Sequence, residues 1–251
     1  MKPIERIVSL APSMTEILYA LGLGSRVVGV TALCDYPPEA RQKPKVGDVN
    51  ISPEKVVALK PDLVVAHAVL NARVLPTLQR LKLRVLSVNP NTFEKLFDFM
   101  LELGRVCSVE PQARRLVNRL QLRVRRVQQE SSRRRSRPRV LFAISVEPLW
   151  ASGRETFADT LIRLAGGQNA LGATFAGFRA VSLETALASQ PELIILTEKA
   201  KAVLLNDARW RRVPAALKGQ VYEVNPDIYL RETPRLVDAL EQLARLIARS
   251  R

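Results

Sequence analysis

Ser52-Pro53-Glu54-Lys55-Val56-Val57-Ala58-Leu59-Lys60-Pro61-Asp62-Leu63-Val64-Val65 matches Ser182-Leu183-Glu184-Thr185-Ala186-Leu187-Ala188-Ser189-Gln190-Pro191-Glu192-Leu193-Ile194-Ile195 without a gap. Ser, Glu, Ala, Pro and Leu coincide, and the residue after Pro is acidic in both copies. In each, Ser is placed to cap a short helix and Glu sits in the first turn, where the helix dipole favours a carboxylate. Pro ends the helix, and a β-branched pair opens a strand. Any short helix-to-strand unit favours these residues, but the duplicated spacing predicts two related lobes.

The surroundings of each copy agree with that. Before it, strand-like runs at 7–10, 27–30, 63–66 and 84–88 alternate with helical patterns, including one from about Thr92 to Leu103 with Gly104 as its stop. Ser13-Met14-Thr15-Glu16 has the form of a capping box, and Gly22 would end that first helix. In the second half, strands are expected at 139–145, 193–196 and 221–225, a helix near 157–165 stopped by Gly166-Gly167, and a closing helix from about Pro234. Alternation of this kind predicts parallel sheets. Between the halves, Ala113, Leu116, Val117, Leu120, Val124 and Val127 recur at helical spacing with arginines on the other faces. The expected organisation is an α/β lobe over 1–109, a connecting helix over 110–131 and a second α/β lobe over 132–251.

Composition narrows the function classes. The chain has 251 residues, 47% of them hydrophobic, enough for two moderate cores and unlike a disordered chain. No apolar run approaches the roughly 20 residues of a membrane span, and no secretory signal is visible. A cytosolic chain and a mature secreted one both fit. The net charge is +15, and the segment 109–139 holds 11 basic and 2 acidic residues while both flanks are only mildly basic. That is not the surface of a duplex binder, and no nucleic-acid partner is expected. Cys34 and Cys107 are too few for a disulfide framework.

No catalytic motif stands out, and His67 is the single histidine. Gly22-Leu23-Gly24 follows a helix instead of opening one, the geometry of a helix stop and not of a phosphate cradle. A non-enzymatic protein without a catalytic cofactor is expected. In parallel sheets ligands collect beyond the carboxyl ends of the strands. His67 ends a strand, so it is either a lining residue, a hydrogen-bonded structural histidine or a metal ligand. Pro12 and Ser13, the stretch 31–36, residues 147–150 with Trp150, Phe178, and Asp227 to Arg231 with Tyr229 occupy comparable places. The aromatic rings among these suit either lining or core. Asp227 and Arg231 suit either ligand contact or pairing with each other.

The whole chain resembles the periplasmic solute-binding components of ABC importers for cobalamin and ferric siderophores, most of all those for cobalamin. The likeness rests on Ser9-Leu10-Ala11-Pro12-Ser13-Met14-Thr15-Glu16, Val28-Gly29-Val30 through Asp35-Tyr36-Pro37-Pro38, and Val57 to Val64. It continues through Ser152-Gly153, Gly166-Gly167 with Asn169, and Asp227 with Arg231 ahead of Pro234-Arg235. The resemblance implies two Rossmann-like lobes with parallel-rich sheets on one long helix and a ligand held in the cleft between them. It implies a monomer outside the cytoplasmic membrane that delivers its ligand to the permease dimer of an importer, with Glu54 and Glu184 as the docking points. Cobalamin is the ligand it points to first, with haem or a ferric siderophore as alternatives. A cytosolic corrinoid or metal-cofactor carrier of the same fold is a further one. Leu33, Val49, His67 and Phe178 align with the family's aromatic cleft positions, Asp227 and Arg231 with its polar contacts, and His67 becomes a candidate axial ligand to cobalt.

Overall fold

The computed structural model describes residues 3–250, and the chain divides into two compact units, Met1–Leu120 and Gln121–Arg251. The first is built on strands β1 (Ile7–Ser9), β2 (Val27–Gly29), β3 (Leu63–His67) and β4 (Val85–Val88), all parallel in the order β2-β1-β3-β4. Helices α1 (Pro12–Ala20), α2 (Pro53–Ala58), α3 (Leu75–Arg80) and α4 (Phe93–Val106) connect them. β3 is buried along its whole length, as a central parallel strand must be, and one core cluster joins Val8, Val64 and Ala66 to Val56 of α2 and Leu78 of α3.

Helix α5 (Glu110–Ser132) runs from one unit into the other. Its apolar stripe is buried as the spacing predicts, from Ala113 to Val127. The second unit holds β5 (Arg139–Val146), β6 (Leu149–Ser152), β7 (Gln168–Asn169), β8 (Phe178–Ala180), β9 (Leu193–Leu196) and β10 (Val221–Glu223). Its sheet order is β10-β9-β5-β6-β8, with β7 paired to the start of β5. β10, β9, β5 and β7 are parallel, whereas β6 and β8 extend the sheet antiparallel. Helices α6 (Phe157–Leu164), α7 (Leu183–Ala188), α8 (Lys201–Asn206), α9 (Pro214–Leu217), α10 (Pro226–Tyr229) and α11 (Leu236–Arg249) complete it.

The duplicated segment folds the same way twice. Ser52 and Ser182 each cap their helix, accepting from Lys55 N and Thr185 N at 3.2 Å in both cases. Lys60 and Gln190 each take a positive φ, 45° and 44°, to turn the chain before Pro. The conserved-in-type acid then ties two strands: Asp62 N donates to Arg6 O while its carboxylate accepts from Arg6 N at 3.0 Å. Glu192 does the same to Arg139, with its carboxylate 3.0 Å from Arg139 N. Each acid therefore sets the start of the neighbouring strand, Ile7 beside Leu63 and Val140 beside Leu193.

Two expectations of local structure need correction. α1 begins at Pro12 with Ala11 as its N-cap, so Ser13 and Glu16 lie buried inside the helix and form no capping box. A Pro at the first helical position needs no N–H partner and starts the helix without one. Nor does Gly104 stop α4, which runs on to Val106. A Cβ there would stand 2.4 Å from Cβ of Ala113, so the glycine serves close packing against α5.

Candidate functional site

Loops beyond the carboxyl ends of β1, β2 and β3 form one surface of the first unit. Beneath it lies a buried polar knot. The Thr15 hydroxyl contacts Ser9 Oγ at 2.8 Å and Cys34 Sγ at 3.1 Å, and Thr31 Oγ1 stands 3.2 Å from the same sulfur. Both cysteines are buried and free, so they are not bridged. Pro12 is half-buried at the head of α1, and Ser13 is buried behind it.

His67 ends β3 and is only 4% exposed. Its Nδ1 accepts from Val69 N at 3.2 Å and Leu70 N at 3.3 Å, and its own backbone N–H donates to Asn71 Oδ1 at 2.8 Å. Asn71 Nδ2 reaches across to Leu10 O at 3.0 Å. An Nδ1 that accepts two N–H groups carries no proton, so the neutral ring is protonated at Nε2. Burial also lowers the imidazole pKa from its usual 6.5, which keeps the ring neutral. To ligate a metal through Nε2 the ring would have to move its proton to Nδ1, against two facing donors. The bonding thus opposes the axial-ligand role and makes His67 the pin of the turn 67–71.

That turn presents Val69 and Leu70, 59% and 63% exposed, next to Val49 at 73%. Together with Ile51 and Val74 they line a hollow of about 560 Å³, with Arg73 as a basic residue in its wall. Leu33 and Tyr36 are also exposed on the loop after β2. Aliphatic side chains held in water on wired turns are a signature of an apolar contact surface. Val69 and Leu70 escape sequence reasoning, though an aliphatic pair directly after a buried strand is a signal in retrospect.

In the second unit, Trp150 is exposed on β6 and Phe178 half-buried on β8. Phe178 stands edge-on to Phe142, ring centroids 6.5 Å apart. Tyr229 is not a surface residue: it is 1% exposed, 6.2 Å from the ring of Phe142, and its hydroxyl has no hydrogen-bond partner among the described residues. The short helix α10 turns it inward, and its pKa rises with burial. Asp227 and Arg231 form an ion pair at 2.8 Å, one turn apart.

Glu54 and Glu184 are both exposed at the first turns of α2 and α7. The Ser52 hydroxyl donates to Glu54 at 2.7 Å, and this bond, with the residue's own backbone N–H, holds the carboxyl below its ordinary range. Glu184 is lowered by its own backbone N–H, then by Ser182, with Arg209 nearby. Two ionised carboxylates thus stand at equivalent places on the two units. Among the described residues no group of three His, Cys, Asp or Glu side chains is arranged to hold a metal ion, and no helix is long and apolar enough to cross a membrane.

Comparison with known proteins agrees with this layout. An ABC transporter substrate-binding lipoprotein of Bacillus subtilis, YvrC, is 34% identical over 98% of this chain and 81% of its own length. The crystal structure of the periplasmic vitamin B12 binding protein BtuF of Vibrio cholerae superposes with a TM-score of 0.89 at 30% identity, covering 99% of this chain and 98% of that one. The periplasmic haem-binding protein RhuT of Roseiflexus sp. RS-1 gives a TM-score of 0.86 at 26% identity, covering 98% and 99%. The model of the periplasmic binding protein family matches residues 7–228, and the chain belongs to that family.

Proposed function

We propose that this protein is the substrate-binding component of an ABC importer, works outside the cytoplasmic membrane, and carries cobalamin or a related corrinoid without catalysing a reaction. The observation that carries the ligand class is the exposed aliphatic surface of Val49, Val69 and Leu70, with Leu33 exposed on the loop after β2. It suits the broad face of a macrocycle, whose burial supplies most of the affinity. The second unit, taken by itself, offers apolar surface at Trp150 and Phe178, and its Asp227–Arg231 pair can both donate to and accept from amide groups. Resemblance to the vitamin B12 binding protein adds weight.

Haem is the second reading, favoured by the similarity to a haem-binding protein. Against it stands His67: a ring committed through Nδ1 and protonated at Nε2 is poorly placed to hold iron. A corrinoid brings its own axial groups and asks for no ligand from the protein. Calorimetric titration with cyanocobalamin, haem and a ferric siderophore separates these. Cyanocobalamin is expected to bind with Kd below about 1 μM; haem binding of that strength without any corrinoid binding would overturn the assignment.

Glu54 and Glu184 are proposed as the docking carboxylates, one per unit, for basic residues on a two-fold permease. As a working unit the carrier is a monomer.

A further inference from the structure

One face of the second unit takes no part in the binding or docking described above. Two adjoining hollows, about 540 and 370 Å³, share Glu130, Arg134 and Ala248 and make a groove between the ends of α5 and α11 and the loop 133–138. Its apolar floor includes Val127, Ala244 and Ile247, and its rim carries Arg126, Arg133, Arg135 and Arg245.

These arginines are not alike. Arg134 is structural: its guanidinium donates to Ala165 O at 2.8 Å and Ala244 O at 2.9 Å, pinning the loop to α6 and α11. Arg126 stands 3.7 Å from Glu130. Glu241, the other acid on the wall, is taken by two 2.8 Å bonds from Arg123. Arg133, Arg135 and Arg245 are exposed and outside the ion pairs found among the described residues. Beyond the loop, Arg137 leads into another hollow that also presents Arg154 and Arg163. Arginine at a helix C-terminus offsets the dipole, but Arg133 and Arg135 lie past the end of α5 and point the chain's charge excess at solvent.

We propose that this arginine-rimmed groove holds the protein against an anionic phospholipid surface. Guanidinium groups match phosphodiester oxygens in planar, paired bonds, and a cluster of them on one face is attracted to an anionic leaflet. Nucleic acid is the poorer match, because no aromatic side chain lines the groove for base stacking and two carboxylates stand in its walls. A carrier held weakly at a bilayer meets a membrane-embedded partner by search in two dimensions.

The test is flotation with vesicles of phosphatidylglycerol in phosphatidylcholine, against phosphatidylcholine alone and against duplex DNA. Binding to the anionic vesicles is expected at about 0.05 M salt and lost near about 0.5 M as counterions screen the surface. Each arginine removed should weaken it about five-fold, so Arg133→Gln/Arg135→Gln/Arg245→Gln loses about 100-fold. The charge-matched Arg80→Gln/Lys82→Gln/Arg84→Gln variant should stay within about three-fold of the parent. Cyanocobalamin titration and thermal melting of the same samples report on ligand binding and folding independently. Equal losses in the two variants would reduce the effect to net charge and overturn the groove. So would absence of vesicle binding at low salt, or binding to DNA alone.

Discussion

At the scale of single residues, two titratable groups, buried His67 and half-buried Glu232, act in opposite senses. His67 has a pKa lowered by burial, so the folded protein resists protonation that the unfolded chain accepts. Its contribution is present above the ordinary value of 6.5 and is lost as pH falls below it. The stability difference between the native protein and His67→Gln should therefore shrink between pH 7.5 and pH 5, measured by urea unfolding. Glu232 is the reverse case: burial pushes its carboxyl up to about 7 from 4.5. Stability linked to it is complete below pH 4.5 and is lost as pH rises through about 7. The full shift corresponds to about 3 kcal/mol, which solvent at this half-buried side chain cuts to about 1–2 kcal/mol. Glu232→Gln should thus be more stable than the parent at pH 8 by about that amount and equal to it at pH 4, with urea midpoints as the readout. Neither behaviour is legible in the sequence, because desolvation depends on what packs over a side chain. Tyr229 stays open between lining and core in the sequence for the same reason, since the spacing around a four-residue helix does not say which way its ring turns.

At the scale of elements the sequence is far more informative. Serine capping, the helix-ending proline and the β-branched strand start were all readable, because each is a local preference acting within one turn. Losing a cap costs about 1 kcal/mol, so Ser52→Ala and Ser182→Ala should each lower stability by about that much, and additively, in chemical denaturation. Lys60 and Gln190 occupy the left-handed region, which glycine enters without a Cβ clash. Lys60→Gly and Gln190→Gly should each raise stability by about 0.5–1 kcal/mol, in contrast to glycine at an ordinary position, where a loss of that size is the rule. The role of Asp62 and Glu192 was not readable: what they hold is a backbone N–H 56 and 53 residues away. Antiparallel β6 and β8 were missed because each is a four- or three-residue strand with no periodicity of its own.

At the scale of the whole molecule, the duplicated helix carries its glutamate to equivalent places on both units. Glu54→Ala/Glu184→Ala should leave ligand affinity within about two-fold and abolish stimulation of the reconstituted importer's ATPase. Loss of ligand binding in that variant would instead place these carboxylates in the binding surface. By itself the sequence determined the two-unit α/β plan and the long helix, since repeats, hydrophobic periodicity and turn chemistry are written in residue order, and its motifs carried the family resemblance. Tertiary structure alone decided which strand-end residues face solvent and which pack inward. It turned Tyr229 into core, made His67 a pin and left Val69 and Leu70 in solvent. It also gathered the charge excess of one segment into a groove with α11. Those outcomes depend on contacts between residues far apart in the chain, and burial and charge environment are properties of the packed neighbourhood.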